Sequence, residues 1–178
     1  MNNNEHKKTS TRTIRLSKYL DNVLQKDAKE KRVTVNSLVS SIITKYAEWD
    51  RYAETFGFIS VARLGFNSII ESVDDEKLKQ IAQELGSRQA HEVMMFWFKK
   101  MTPETYLAFL SLFCRYSGAA KYEIETDERN YTITLHHELG EKWSIFLAHL
   151  TAGIFDTLKI TPKFDVTKNS VVFRFFIP

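Results

Sequence analysis

The polar and apolar positions of residues 11–16 alternate, which is the pattern of a β-strand with two different faces. The two faces consist of Arg12, Ile14 and Leu16 on one side, and of Thr11, Thr13 and Arg15 on the other. No hairpin partner follows nearby in the chain, so the pattern predicts a lone basic strand. Because an unpaired strand edge invites pairing with another chain, we expect this segment to pair with its own copy in a second subunit.

Two amphipathic helices are predicted after this strand. Ser17 and Thr34 can each cap a helix start, because a hydroxyl oxygen can accept a hydrogen bond from a backbone N–H that the first turn leaves unpaired. The apolar residues of the first helix are Leu20, Val23, Leu24 and Ala28. Those of the second helix recur with a clear helical period and are Val35, Leu38, Val39, Ile42, Ile43 and Tyr46. A unit of this size cannot bury its apolar faces alone, so we expect it to dimerise.

The stretch "RTIRLSKYLDNVLQKDAKEKRVTVNSLVSSIITKY" resembles the ribbon-helix-helix family of transcriptional regulators, the Arc/MetJ-like proteins, over residues 10–48. In that family, two N-terminal strands pair antiparallel across a dimer axis, and the resulting ribbon enters the major groove of DNA. The resemblance implies that Thr11, Thr13 and Arg15 contact bases. This fits their chemistry, since arginine can bind guanine O6 and N7 together, and threonine can hydrogen-bond a base or contact a thymine methyl group.

The resemblance also implies contacts to the phosphates of the DNA backbone. Thr34, Asn36 and Ser37 match the family's phosphate clamp at the start of the second helix, where free backbone N–H groups favour an anion. Arg12 stands where the family usually has an apolar residue, so its aliphatic stem would pack and its guanidinium would contact a phosphate. Lys7 and Lys8 would add phosphate contacts from the N-terminal tail.

The distribution of charge agrees with a polyanionic partner at the N-terminal end. Residues 1–32 contain nine Lys and Arg against four Asp and Glu, whereas residues 33–178 contain sixteen against eighteen. A basic end on a nearly neutral body suits double-stranded DNA, although a solvated flexible tail would have the same composition. Residues 1–10 are polar and without periodicity, which predicts a disordered basic tail.

The rest of the chain predicts helices first and strands last, which is typical of an α+β domain. Gly86 is expected to end one helix and Ser87 to cap the next, while Thr102 and Pro103 open a later one. Two hairpins with the turns "DERN" and "TKNS" follow, separated by a helix whose apolar stripe is Trp143, Phe146, Leu147, Leu150 and Ile154. We therefore predict a tail over 1–10, a ribbon-helix-helix module over 11–50 and an α+β domain over 55–178.

Several classes of function find no support in the sequence. Cys114 is the single cysteine, so no internal disulfide can form and a reducing compartment is expected. The chain has no long apolar run for a membrane span and its N-terminus is too polar for a signal peptide, so we expect a cytoplasmic location. Phosphate-loop, dinucleotide-binding and zincin motifs are absent, as are a paired CxxC and a recognisable catalytic triad. We predict neither enzyme activity nor a cofactor.

A metal or an apolar ligand could nevertheless act on the second domain. By analogy with the nickel-responsive regulator of the same family, the candidate metal ligands are His136, His149 and Cys114. His136 and His137 are adjacent on a strand and point to opposite faces, so His137 is expected to be a hydrogen-bonded, partly buried histidine instead. The runs "MMFWF", "FLSLF", "WSIF" and "FRFF" predict either a well-filled core and subunit interface or a pocket for a small apolar ligand.

The function predicted from the sequence is that of a sequence-specific DNA-binding transcriptional regulator, acting as a homodimer or a higher even oligomer. The α+β domain would assemble subunits or sense an effector. Three alternatives remain open at this point: a metal- or ligand-responsive regulator of the nickel-regulator type, an antitoxin with a folded toxin-binding domain, and an interaction module that never binds DNA.

Overall fold

The computed structural model describes residues 9–177, and the chain divides into two compact units, residues 1–47 and residues 48–178. The first unit contains helix α1 (Lys18–Glu30) and helix α2 (Val35–Lys45). Both predicted caps are confirmed: the Ser17 hydroxyl oxygen accepts from the backbone N–H of Leu20 at 3.3 Å, and that of Thr34 accepts from Ser37 at 3.1 Å. These bonds satisfy N–H groups that a helix start leaves unpaired.

The strand predicted over residues 11–16 is not found in the single chain. Residues 9–17 form neither helix nor strand, and the described part of the first unit contains only helices as regular structure. A strand is held by a ladder of hydrogen bonds to a neighbour, and no backbone hydrogen bond joins residues 9–16 to another described residue. A ribbon-helix-helix fold is therefore not shown by one chain.

The second unit has the α+β architecture that the sequence predicts, with helices preceding most of an antiparallel sheet. After a π-helical turn at Tyr46–Asp50, its helices in the first part are α3 (Arg51–Phe56), α4 (Arg63–Ser72), α5 (Asp75–Glu84), α6 (Ala90–Phe98) and α7 (Pro103–Ser117). The later elements are β1 (Lys121–Asp127), β2 (Asn130–His136), α8 (Glu141–Leu158), β3 (Lys163–Thr167) and β4 (Ser170–Phe176). The strand order is β1-β2-β4-β3, with every neighbouring pair antiparallel.

Local signals in the sequence explain several of these elements. Thr102 caps α7 in a reciprocal capping box with Thr105, and Pro103 occupies the first turn, where its missing N–H has no cost. Gly57 ends α3 with a positive φ of 92°, a backbone conformation that glycine adopts without steric cost. Both hairpins form, with "DERN" joining β1 to β2 and "TKNS" joining β3 to β4.

Helix α8 lies at the centre of the second unit, between the sheet and helix α5. Its Phe155 is fully buried and packs on Phe173 and Phe175 of β4, with ring centroids 5.9 and 4.6 Å apart. The buried face of the sheet also includes Ile133 and Leu135 of β2. Alternation along β2 and β4 thus places every second residue against α8.

The prediction that Gly86 ends a helix and Ser87 begins another is wrong. The helix continues through a π-helical turn, Leu85–Gln89, directly into α6. The reason is a close approach between two backbones: a Cβ at Gly86 would collide with the backbone carbonyl of Leu150, and a Cβ at Gly153 would lie 2.5 Å from that of Gln83. Gly86 is therefore required for packing against α8 rather than for ending a helix.

Candidate nucleic-acid interface

The side chains predicted to contact DNA bases lie together on the segment that precedes α1. Thr11, Thr13 and Arg15 are all exposed, as is Arg12. None of these four side chains makes a hydrogen bond or ion pair with another described residue. The segment therefore presents two arginine guanidinium groups and two threonine hydroxyls, without a partner among the described residues, just before the first turn of α1.

The start of α2 holds the three predicted phosphate-binding residues, and all three are exposed. Thr34 donates its hydroxyl hydrogen to the Ser37 hydroxyl oxygen at 2.9 Å while accepting from the Ser37 backbone N–H, so these two side chains are joined. The first turn of α2 contains no acidic residue, in contrast to α1 with Asp21. Because no carboxylate neutralises it, the positive end of the α2 dipole remains available to an anion.

The large apolar side chains of the first unit are mostly exposed in the single chain. Among its described residues, only Ala28 and Leu38 are buried. The exposed ones are Ile14, Leu16, Tyr19, Leu20, Val23, Val33, Ile42, Ile43 and Tyr46. Ile42, Ile43 and Tyr46, which continue the apolar stripe of α2, keep 51%, 59% and 58% of their surface accessible. Among the described residues, the first unit therefore buries few of its own large apolar side chains in the single chain.

Lys7 and Lys8, the remaining predicted phosphate contacts, lie outside the described residues. Within the described part of the unit, positive charge continues along α1 and just beyond it, at Lys18, Lys26, Lys29, Lys31 and Arg32. Lys26 faces Glu30 at 3.9 Å, and both side chains are largely exposed. An exposed pair of this kind contributes little to stability and leaves the lysine able to exchange its partner for a phosphate.

The three candidate metal ligands of the second unit are not all brought together. Cys114 and His136 line one pocket of about 540 Å³, whereas His149 on α8 is not among its lining residues. Burial raises the pKa of the Cys114 thiol to about 12, which keeps it protonated at neutral pH and unlike the thiolate that binds metals. Among residues 9–177, no cluster of three His, Cys, Asp or Glu side chains could hold a metal ion.

His137 is the hydrogen-bonded histidine that its place on the apolar strand face predicts. It is buried, its Nδ1 accepts from the Leu139 backbone N–H at 3.2 Å, and its Nε2 lies 2.8 Å from the Ser144 hydroxyl oxygen. An Nδ1 that accepts must be unprotonated, so Nε2–H donates to Ser144 and the ring is neutral. Burial, and then the neighbouring His136, hold the pKa of His137 below its usual value.

In the part of the chain that the structure describes, no helix is both long and apolar enough to cross a lipid bilayer. No protein-family model matches the chain, and no curated protein matches its sequence. The ribbon-helix-helix resemblance therefore rests on the sequence pattern of residues 10–48 alone.

Proposed function

We propose that this protein is a homodimeric, sequence-specific DNA-binding transcriptional regulator. Two copies of the segment before α1 would pair as an antiparallel ribbon that enters the major groove. The observation that carries the proposal is that an exposed, partnerless basic segment and a large exposed apolar face occur in the same small unit. Neither feature has a partner among residues 9–177, and one two-fold dimer would supply both partners.

The apolar face supports dimerisation on energetic grounds. Burying an Ile, Leu or Val side chain fully is worth roughly 1.5–3 kcal/mol, and several such side chains are about half exposed here. Pairing of the two segments in the dimer would also let their backbone N–H and C=O groups form inter-strand hydrogen bonds. With Ile14 and Leu16 turned toward the partner's helices, strand alternation directs Thr11, Thr13 and Arg15 to the opposite face.

The proposed contacts divide by chemistry into those that specify sequence and those that position the protein. Arg15 would bind guanine, and Thr11 and Thr13 would contact neighbouring bases. The free start of α2, with Asn36 exposed and no acidic residue in its first turn, would hold a backbone phosphate. The α+β unit would then assemble dimers or receive an effector signal.

The first test is selection of binding sites from a random DNA library, followed by affinity measurements on the enriched sequence. Replacing Arg15 by Ala should weaken specific binding by about 1–3 kcal/mol, while binding to unrelated DNA changes much less. Arg129→Ala is the matched control, because Arg129 is an exposed arginine in the turn between β1 and β2 of the other unit.

Two results would contradict the proposal. The first is a library from which the wild-type protein enriches no sequence. The second is an Arg15→Ala variant that binds the enriched site as tightly as the Arg129→Ala control does.

A further inference from the structure

The second unit contains an apolar pocket of about 150 Å³ that no part of the DNA-binding proposal uses. Its wall is formed by side chains of α6, α7, β2 and α8, including Val93, Met94, Leu110, Leu135, Leu147 and Ile154. Most of these side chains are buried, so the inner wall is fixed by the core. Cavities of similar size lined by Leu, Ile and Phe bind benzene in other proteins, so the volume suits a single aromatic ring.

A pair of buried hydroxyl groups belongs to two residues in the wall of this mostly apolar pocket. The Tyr106 and Thr151 hydroxyl oxygens are 3.2 Å apart, and the two residues are only 2% and 1% exposed. Each hydroxyl carries one hydrogen, and the hydrogen bond between the two oxygens takes only one of these two hydrogens. Neither side chain has another hydrogen-bond partner among the described residues, so one O–H of the pair has no acceptor among them.

The entrance and the chemistry of the lining restrict what can bind. Phe58 and Gln89 are the exposed lining residues and mark the mouth of the pocket. No charged side chain is found among the described residues that line it. Since moving an ion into an apolar site without a partner is very costly, a charged ligand is disfavoured there.

The π-helical turn at Leu85–Gln89 contributes to the pocket directly. Leu85 and Gln89, its first and last residues, both line the cavity. Gly86 and Gly153 allow the backbone of this turn to pack closely against the backbone of α8. The positions of Leu85 and Gln89 therefore depend on that backbone contact. Single π-helical turns within longer helices occur frequently at functional sites, because they displace side chains from the regular helical register.

We propose that this pocket binds a small, neutral aromatic molecule with one polar oxygen, in the size class of a simple phenol. The ring fills the Leu, Val, Met and Ile wall, and the oxygen accepts the spare hydrogen of the Tyr106–Thr151 pair. This inference stands on the geometry of the second unit alone and does not require the DNA-binding proposal. Regulation of DNA affinity by this ligand would require both the pocket inference and the DNA-binding proposal to hold.

Calorimetric titration of the full-length protein with p-cresol and with toluene tests the site. Both probes have one ring and one methyl group, and only p-cresol carries a hydroxyl. The double variant Tyr106→Phe with Thr151→Val removes both hydroxyls while nearly keeping the shape of the pocket, a change that is often almost neutral for folding. The wild-type protein should bind both probes, and the double variant should lose at least about five-fold in affinity for p-cresol while keeping that for toluene.

Two further variants locate the site and serve as controls. Ala90→Leu adds bulk to the pocket wall and should abolish binding of both probes. Thr157→Val removes an exposed hydroxyl from the same helix, outside the pocket, and should change neither affinity.

Three results would overturn the proposal. The first is that the wild-type protein binds neither probe up to the solubility limit of that probe. The second is that Ala90→Leu binds the probes as tightly as wild type does. The third is that the ratio of p-cresol affinity to toluene affinity in the double variant equals that of wild type. Retained toluene binding shows that the double variant is folded, so the last comparison remains decisive.

Discussion

His137 is a buried titratable side chain whose neutral form is built into the fold of the second unit. Its Nδ1 accepts the Leu139 backbone N–H, and protonation of that nitrogen would break the bond and place a charge among buried groups. The unfolded chain, where a histidine pKa is about 6.5, therefore binds this proton more readily than the folded chain does. Any loss of stability from His137 must begin as the pH falls below that value.

The unfolding free energy of the second unit should accordingly fall as the pH is lowered from 7 toward the depressed pKa of folded His137. One proton is involved, so this residue contributes a slope of at most about 1.4 kcal/mol per pH unit. Urea denaturation at pH 7.5 and at lower pH values, followed by circular dichroism, measures the effect. His137→Asn should flatten the pH dependence relative to wild type, whereas His91→Asn, at an exposed position, should not; equal slopes in all three proteins would contradict the assignment.

At the scale of elements, the contact between the π-helical turn and α8 determines how closely two helical backbones approach. A Cβ at Gly153 would meet the Gln83 carbonyl oxygen at 2.5 Å and the Ser87 nitrogen at 3.1 Å. Both neighbours are backbone atoms, so a side-chain rotation cannot relieve the clash. The helices would have to separate, and the pocket that Leu85 and Gln89 line would change with them.

Gly153→Ala should therefore destabilise the second unit by about 1–3 kcal/mol or more, as overpacking does in well-packed cores. Gly65→Ala is a matched control within helix α4, because nothing lies within 4 Å of its added Cβ. That control should gain roughly 0.5–1 kcal/mol from the helix propensity of alanine. Urea denaturation of both variants distinguishes the cases, and a Gly153→Ala protein as stable as wild type would show that the contact can relax without cost.

The elements that the sequence predicted correctly are those whose causes are local. The caps at Ser17 and Thr34, the Thr102–Pro103 helix start and the turns of both hairpins depend on residues within a few positions of each other. Gly86 was predicted wrongly because its role depends on Leu150, far along the chain. A glycine suits both a helix end and a close backbone contact, and only the tertiary structure distinguishes the two.

The two candidate sites also differ in how far apart along the chain their residues lie. The residues of the proposed DNA interface lie on one short segment and one helix start, and their proposed role comes from the ribbon-helix-helix resemblance of that stretch. The apolar pocket is lined by residues of α6, α7, β2, α8 and the π-helical turn Leu85–Gln89, and its hydroxyl pair joins residues 106 and 151. Aromatic runs such as "MMFWF" and "FLSLF" indicated an apolar core or pocket, but they could not show which side chains would meet.

At the level of the whole molecule, the proposed function requires that two N-terminal segments pair with each other across a dimer axis. Directly opposed residues in an antiparallel pair have Cα atoms about 4.5–5.5 Å apart, a separation within the range that a disulfide can bridge. In a two-fold ribbon, only residues at the centre oppose their own copies. Residues further out face a different position of the partner strand.

A cysteine scan measures this pairing most directly. Each position from 11 to 16 is replaced in turn by cysteine in a Cys114→Ala background, and the full-length protein is oxidised at low concentration and analysed for covalent dimer. We expect efficient cross-linking at one position or two adjacent positions near the middle of the segment, with a decline on both sides. Absence of cross-linked dimer at all six positions, or equal cross-linking at every one of them, would contradict it.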